Sequence, residues 1–207
     1  MQHEQYFART PTSRGTERTV ELAMHGRTAT CTTLPGVFSV RGLDKGTAVL
    51  LDAVPAPPPN STCLDLGCGW GPIAMVLSSR EPTATVWATD VNERARTLAS
   101  TNARRNGLAR IRVVGPEALP PDLRFDMIAS NPPARIGREA MLRMLLDATG
   151  RLADRGAAWL VVSRHLGADS LAADLAANGR TVERTGSKRG FRILRVSLTP
   201  VEDPGTP

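Results

Sequence analysis

Cysteine is scarce in this sequence, and long hydrophobic runs are absent from it. The three cysteines, Cys31, Cys63 and Cys68, are an odd number, and no pair among them has the spacing of metal ligands. They argue against a disulfide framework and are typical of free thiols in a reducing compartment. The longest apolar runs, such as residues 157–162, are far shorter than the roughly 20 residues that cross a bilayer. We therefore predict no transmembrane helix and no metal site.

Lysine is also nearly absent, although the chain is basic. The formal net charge is +6, and Lys45 and Lys188 are the only lysines, so arginine carries almost all of the positive charge. The planar guanidinium group binds phosphate oxygens, which makes the composition compatible with a nucleic-acid partner. A genome rich in G and C would give the same bias. The positions are more informative than the total, because basic residues cluster at 104–112, 135–138 and 188–192.

The length of the chain and a proline-rich segment at 55–60 set the predicted domain organisation. At 207 residues the chain is long enough for one domain with a short extension. We predict an N-terminal extension over residues 1–54 that packs on a catalytic domain over 61–199. The prolines between them form a stiff connector, and residues 200–207 form a flexible tail. The first residues lack the basic-then-apolar order of a secretory signal, so we expect a cytoplasmic protein. The oligomeric state stays open.

Alternating strand-like and helix-like segments predict an α/β fold. A hairpin at 19–24 and 27–33 is followed by an apolar helix at 48–54, with Asp44 or Thr47 near its N-cap. Strands and helices then alternate, which is typical of a parallel sheet with helices on both faces. The predicted strands lie at 62–66, 85–89, 111–114, 125–129, 157–163, 181–184 and 192–198, and the predicted helices at 72–79, 93–106, 138–152 and 169–177.

A glycine-rich loop follows the first strand of this alternating part. Gly67, Gly69 and Gly71 allow a tight turn and let a ligand approach the backbone closely. Their Gly-x-Gly-x-Gly spacing differs from the dinucleotide fingerprint, and the nearby carboxylate of Asp65 repels a phosphate but tolerates an ammonium group. Asp90 follows the second strand, where a carboxylate can accept hydrogen bonds from both hydroxyls of a ribose. The structural alternatives are a salt bridge for Asp65 and a helix cap for Asp90.

The segment Asn131-Pro132-Pro133 follows a later strand and has a direct chemical interpretation. An exocyclic amine on a nucleobase is a poor nucleophile because its lone pair is delocalised into the ring. Acceptors placed on its two hydrogens orient the amine and favour the pyramidal form that attacks a methyl-sulfonium. The Asn131 side-chain oxygen and a backbone carbonyl near Pro132 can supply those acceptors, while the prolines remove competing N–H donors. This is catalysis by positioning, without a strong general base.

The two motifs together resemble the class I S-adenosylmethionine-dependent methyltransferases, in particular the amino-methylating branch with an Asn-Pro-Pro signature. More narrowly, the chain resembles the "methyltransferase small" family of ribosomal RNA guanine-N2 methyltransferases, in its compact single-domain form. The resemblance spans nearly the whole chain. The segments that carry it are Tyr6-Phe7, Gly36-Val37-Phe38-Ser39, Asp44-Lys45-Gly46-Thr47, residues 67–71, Asn131-Pro132-Pro133 and Phe191-Arg192-Ile193-Leu194.

The resemblance implies a Rossmann-like fold with a mostly parallel seven-stranded sheet, S-adenosylmethionine as the cofactor, and ribosomal RNA or the small ribosomal subunit as the partner. Asn131, Pro132 and Pro133 are the predicted catalytic residues. For Cys68 a small packing role is also expected, and for Trp70 a position beside the ligand. The predicted cofactor-binding residues are Asp65, Gly67, Cys68, Gly69, Trp70, Gly71, Asp90, Val91, Glu117 and Asn131.

The chain departs from the family pattern at two positions. Gln5 stands where the family tends to have histidine. Ala134 follows the two prolines, where many amino-methyltransferases have an aromatic residue that stacks on the target ring. Stacking must then come from Phe7, Phe38, Phe191 or an arginine, or else the substrate differs from the usual one. Phe38 also suits the core. The predicted substrate-binding residues are Tyr6, Phe7, Phe38, Arg135, Lys188, Arg189 and Phe191.

We therefore predict methylation of an exocyclic amine, with guanine N2 of ribosomal RNA as the first candidate. A small-molecule amine and a protein glutamine are the enzymatic alternatives. From another class, the chain could be a nucleic-acid-binding module that keeps the cofactor site without turnover. An NAD-dependent oxidoreductase is disfavoured by the glycine spacing.

Overall fold

The structure is a computed structural model that describes residues 16–40 and 42–199. Tyr6, Phe7 and the predicted tail at 200–207 lie outside the described residues. The strands are β1 (Arg18–Met24), β2 (Arg27–Thr33), β3 (Thr62–Leu66), β4 (Thr85–Thr89), β5 (Ile111–Val114), β6 (Phe125–Ser130), β7 (Leu152–Ser163), β8 (Arg180–Lys188) and β9 (Phe191–Leu198). The helices are α1 (Lys45–Ala53), α2 (Pro72–Arg80), α3 (Glu93–Arg105), α4 (Arg138–Thr149) and α5 (Ala168–Ala177).

A seven-stranded sheet in the order β5-β4-β3-β6-β7-β9-β8 organises the chain. The five strands from β5 to β7 run parallel, and β9 pairs antiparallel with both β7 and β8. The prediction of a Rossmann-like α/β fold with a mostly parallel seven-stranded sheet is thus confirmed. Because the parallel strands all end at one edge, the loops after β3, β4 and β6 meet there. We call this the carboxyl edge, and ligands of open α/β sheets bind at such an edge.

Both faces of the sheet are covered, as the hydrophobic runs of the strands require. On β3, Cys63 packs into the buried cluster formed with α1, α2 and α3, whereas its neighbour Leu64 packs with α4 and α5. The same alternation recurs on β6, where Met127 and Ile128 face opposite clusters. Successive side chains of a strand point to opposite faces, so these positions fix which helices lie on which side.

The hairpin of β1 and β2 forms a separate two-stranded sheet that packs on α2 and α3. The buried Asn102 of α3 joins it to the loop between β3 and α2, because its carboxamide accepts from the Thr32 backbone N–H at 2.8 Å and donates to the Thr32 and Trp70 carbonyls. Leu22 and Cys31 of the hairpin belong to the same buried cluster as α2. The hairpin therefore shares its core with the sheet.

Several predicted element boundaries differ from the structure. Helix α4 ends at Thr149, with Gly150 as its C-cap, rather than at residue 152. Strand β7 begins at Leu152 rather than at residue 157, because Leu152 already pairs with Phe125 of β6. Helix α1 begins at Lys45 rather than at residue 48, because the Asp44 side chain caps it by accepting from the Gly46 and Thr47 backbone N–H groups. Strands β8 and β9 extend to a two-residue turn at Arg189 and Gly190. The polar residues there are exposed, so hydrophobicity did not reveal the pairing.

Candidate active site at the carboxyl edge

The glycine loop between β3 and α2 has a backbone that only glycine adopts readily. Gly67, Gly69 and Gly71 all have positive φ, at 77°, 55° and 93°. The Gly67 and Cys68 N–H groups both donate to the Thr89 carbonyl at 2.9 Å, which ties the loop to the end of β4. A Cβ on Gly71 would lie only 3.2 Å from the Ala99 Cβ of α3. The loop is therefore held tightly between two neighbouring elements.

Asp65 is fully buried beneath this loop. Its Oδ2 accepts from the Ala74 N–H of α2 at 2.9 Å, while its Oδ1 has no partner among the described residues. Burial, with a further contribution from the charge of Asp90, raises the pKa of this carboxyl to about 7. No salt bridge to Asp65 is formed within the described part of the chain. An unpartnered buried carboxylate oxygen suits a cationic hydrogen-bond donor.

Asp90 connects the glycine loop to the start of α3. Its Oδ2 accepts from the Gly69 N–H and its Oδ1 from the Asn92 N–H, both at 2.9 Å. The helix cap, which was the alternative for Asp90, is Asn92 instead, because its side chain accepts from the first N–H groups of α3. Burial raises the pKa of Asp90. The adjacent Val91 is 45% exposed, which leaves an apolar side chain open beside this carboxylate.

Asn131 lies at the end of β6 and contacts the first turn of α1. Its Nδ2 donates to Asp44 Oδ2 at 2.9 Å and to Thr47 Oγ1 at 3.0 Å. The preceding Ser130 donates its hydroxyl to the Leu66 carbonyl at 2.7 Å, which joins the end of β6 to the end of β3. Asn131 is therefore held beside the glycine loop. The sequence associated Asp44 and Thr47 only with the helix cap and the family resemblance, and no local signal indicates a contact with a residue more than 80 positions away.

Phe191 at the start of β9 reaches the same place. A Cβ on Gly46 would lie 3.0 Å from Phe191 Cε1 and 3.3 Å from Asn131 Nδ2. The half-buried phenylalanine ring and the Asn131 carboxamide therefore meet at Gly46. The structure brings these two predicted residues together. It places the buried Pro132 and the half-buried Pro133 directly after Asn131.

Of four other predicted residues, two are exposed and two are buried. Phe38 is 46% exposed, so the expectation that it packs in the core is wrong, and its carbonyl oxygen lies 4.0 Å from where a Cβ on Gly69 would be. The Trp70 indole, expected beside the ligand, is instead buried in the core cluster at 1% exposure. Cys68 is buried too, and burial raises its thiol pKa well above the ordinary range, which fits the packing role. Glu117 is exposed in the short 3₁₀ turn after β5, at the carboxyl edge.

The basic residues of the late loop lie at the tip of the β8-β9 hairpin, also at the carboxyl edge. The Lys188 ammonium donates to Asp52 Oδ2 at 2.9 Å and thereby lowers the pKa of that carboxyl. Arg189 is exposed and has a φ of 51°, followed by Gly190 with a φ of 84°. Arg135 is exposed in the 3₁₀ turn Ala134–Ile136 that follows the Asn-Pro-Pro segment.

The described residues contain no helix that is long and apolar enough to span a membrane. Within residues 16–40 and 42–199, no group of three or more His, Cys, Asp or Glu side chains could hold a metal ion. The three cysteines are buried and free.

Comparison with known proteins gives consistent matches. The model of the methyltransferase small domain family matches residues 28–195. The uncharacterized protein YbxB of Bacillus subtilis strain 168 is 29% identical over 195 residues, which cover 93% of this chain and 97% of that protein. The ribosomal RNA small subunit methyltransferase C of Cronobacter sakazakii is 32% identical over 169 residues, which cover 80% of this chain but only 49% of that protein. This chain thus spans about half the length of that ribosomal RNA methyltransferase.

A solved structure with the same fold is the T. thermophilus 16S rRNA N2 G1207 methyltransferase RsmC, in complex with AdoMet and guanosine. It superposes with a TM-score of 0.77 at 23% identity, over 91% of this chain and 52% of that one. At that identity the similarity establishes the fold.

Proposed function

The chain belongs to the methyltransferase small domain family, and on that premise we propose that it methylates an exocyclic amine, with guanine N2 of ribosomal RNA as the target. Membership confirms the family expected from the motifs and S-adenosylmethionine as the cofactor. The nature of the methylated atom and the identity of the substrate go beyond the family and rest on the site.

The observation that carries the proposal is the fixed carboxamide of Asn131. Both of its hydrogen bonds within the described residues, to Asp44 and to Thr47, are made through the amide nitrogen. The carbonyl oxygen is the acceptor that remains for a substrate, and an amine about to be methylated needs an acceptor for its hydrogens. Because the two prolines that follow have no N–H groups, no backbone donor at those positions competes for that acceptor. This arrangement orients an amine without removing its proton in advance.

The residues at the carboxyl edge fit S-adenosylmethionine. Bound there, it supplies a methyl group on a positively charged sulfur. The unpartnered Oδ1 of Asp65 suits the ammonium of its methionine part, and the Asp90 carboxylate has remaining acceptor capacity for ribose hydroxyls. The exposed Val91 offers an apolar contact for the adenine, and Glu117 an acceptor for its amino group.

Ribosomal RNA is supported as the substrate by the basic hairpin tip near Phe191 and by the relative from Cronobacter sakazakii, which is named for that substrate. A phosphate backbone needs cationic groups around the site, and a target base needs an aromatic surface to stack on. A small-molecule amine and a protein glutamine remain the enzymatic alternatives. A cytoplasmic location is part of the same proposal.

The test is transfer of labelled methyl groups from S-adenosylmethionine to ribosomal RNA, offered both as naked RNA and as subunits from cells that lack the protein. Incorporation that is lost in the Asn131→Ala variant supports the proposal, and mapping of the label identifies the base and the atom. Cofactor binding without incorporation into either form of RNA contradicts it in favour of another amine. Tight RNA binding without any transfer would indicate a non-catalytic binding module.

Arg189→Asn is expected to make the protein more stable but to weaken its recognition of RNA. A left-handed backbone costs an arginine about 1 kcal/mol, whereas asparagine tolerates it, so the free energy of unfolding should rise by up to about that amount. The KM for RNA should rise several-fold and the salt dependence of binding should weaken by the equivalent of about one phosphate contact. Denaturant unfolding and methyl-transfer kinetics at several salt concentrations measure both effects.

Arg155→Asn is the matched control. Arg155 is exposed near the start of β7, at the opposite edge of the sheet, and its replacement removes the same charge. The control should leave the KM for RNA within about twofold of the original. Equal loss of RNA affinity in both variants would mean that net charge, and not the hairpin tip, is recognised.

A further inference from the structure

The hydrogen bonds at the start of α1 assign a role to two residues outside the cofactor loop and the Asn-Pro-Pro segment. We propose that Asp44 and Thr47 are positioning residues that hold the Asn131 carboxamide in the one orientation that presents its oxygen to the target amine. This inference rests on the proposed function, since it concerns how Asn131 receives its substrate. This role would make the first turn of α1, which precedes β3 in the chain, part of the active site.

The chemistry of Asp44 fixes which way the carboxamide faces. An ionised carboxylate has no donor, so its Oδ2 can only accept from the Asn131 amide nitrogen, which lies 2.9 Å away. Rotating the carboxamide by 180° would place its oxygen against the carboxylate oxygen at a similar distance. Two acceptor oxygens in contact repel one another, and the carboxamide nitrogen would lose its carboxylate acceptor. The flipped orientation is therefore strongly disfavoured.

Thr47 supplies the second acceptor for the same nitrogen. Its Oγ1 lies 3.0 Å from Asn131 Nδ2, and the residue is 4% exposed. An amide that donates both of its N–H groups is polarised, which strengthens the acceptor at its oxygen. The pair of contacts thus fixes the direction of the Asn131 carbonyl and increases its affinity for a donor.

The first turn of α1 is itself held firmly in place. Asp44 Oδ2 also accepts from the Gly46 and Thr47 backbone N–H groups at 2.8 and 3.1 Å. A side chain at Gly46 would be tight, because a Cβ there would lie 3.0 Å from both Asp44 Oδ2 and Phe191 Cε1. A single carboxylate oxygen therefore anchors the helix terminus and the catalytic side chain together. Such a supporting shell is what precise positioning requires.

Thr47→Val tests the role most directly, because valine keeps the shape of threonine and removes only the hydroxyl. We expect kcat for methyl transfer to fall by at least about tenfold. The KM for RNA and the dissociation constant for S-adenosylmethionine should stay within about twofold. Thr47→Ser restores the hydroxyl and should recover most of kcat. Steady-state kinetics, cofactor titration and thermal unfolding of the variants provide the measurements.

Asp44→Ser provides a second variant in case valine disturbs the buried position. Serine is a good N-cap, so α1 should stay capped, but its side chain is too short to reach Asn131. Loss of kcat with unchanged thermal unfolding supports the proposal. Folded Thr47→Val and Asp44→Ser variants with unchanged kcat would overturn it, and so would a Thr47→Ser variant that is as impaired as Thr47→Val.

Asn131→Ala is measured in parallel to separate this inference from the proposed function. If Asn131→Ala retains turnover, the role proposed for Asn131 fails and the positioning role fails with it. If Asn131→Ala is inactive while the Asp44 and Thr47 variants keep full kcat, only the positioning role fails.

Discussion

Replacement of Asn131 with alanine is expected to reduce methyl transfer by at least about a hundredfold while cofactor affinity stays within about threefold of the original. The carboxamide oxygen is the acceptor that orients the target amine, and alanine has nothing to replace it. Asp65, Asp90 and the glycine loop, which we assign to the cofactor, are untouched by the change. Single-turnover transfer to RNA and calorimetric titration with S-adenosylmethionine separate the two effects.

Asn178→Ala is the matched control for this prediction. Asn178 is an exposed asparagine at the end of α5, at the opposite edge of the sheet, and loses the same carboxamide. It should transfer methyl groups at the original rate. Preserved turnover in Asn131→Ala would rule out the assigned role, and a parallel loss of turnover in Asn178→Ala would point to a general defect of folding.

Replacement of Asp65 with asparagine is expected to weaken S-adenosylmethionine binding by roughly a hundredfold and to stabilise the cofactor-free protein. In the variant, the side-chain oxygen has to accept from the Ala74 N–H, so the amide nitrogen points toward the ligand ammonium and repels it. The cofactor-free variant should nevertheless be more stable than the original protein, because it does not bury the negative charge of Asp65. Cofactor titration and denaturant unfolding of the cofactor-free protein at pH 8 measure the two changes.

The pH dependence of cofactor binding checks the same group. The pKa of Asp65 is raised from 3.8 to about 7, so the contribution of this carboxyl to the stability of the cofactor-free protein is fully present below pH 3.8 and is lost as the pH rises through about 7. Binding of a cation favours the ionised form. Affinity for S-adenosylmethionine should therefore fall by more than about tenfold from pH 7.5 to pH 5.5. In the Asp65→Asn variant the affinity for S-adenosylmethionine should not show this pH dependence, because asparagine does not ionise.

Asp126→Asn provides the control for the charge change. Asp126 is exposed, and its Oδ2 accepts from the Thr62 N–H at the opposite edge of the sheet. Its replacement should leave cofactor affinity and its pH dependence unchanged. An Asp65→Asn variant that binds S-adenosylmethionine as tightly as the original protein would contradict the assignment of Asp65 to the ligand ammonium.

Two side chains show where prediction from the sequence was limited. The sequence left Phe38 open between stacking on the substrate and packing in the core, and in the structure it is nearly half exposed beside the glycine loop. Trp70 was assigned to the ligand because it lies within that loop, yet its indole is buried against the core. Position in a motif locates the backbone of a residue. The direction of its side chain depends on the elements packed around it.

The order of strands and helices and the place of both motifs at strand ends could be read from the sequence alone, because they depend on local properties. Hydrophobic periodicity decides whether a segment is a strand or a helix, and glycines at positive φ decide the turn after β3. Since parallel strands end at a common edge, a parallel sheet brings two motifs at strand ends to the same side. Local physics was sufficient for these features.

The tertiary structure decided what holds the catalytic side chain. Asp44 and Thr47 are separated from Asn131 by more than 80 residues. Both take part in the N-cap of α1, and that local role gives no indication of a contact with Asn131. Strand order likewise placed the β8-β9 hairpin, with Arg189 and Phe191, beside β7 and the site. Contacts of this kind depend on how distant elements cross in space, which side-chain periodicity does not specify. The sequence therefore determined which chemical groups are available, and the packing of α1 and β9 against β6 and β7 determined how they are oriented.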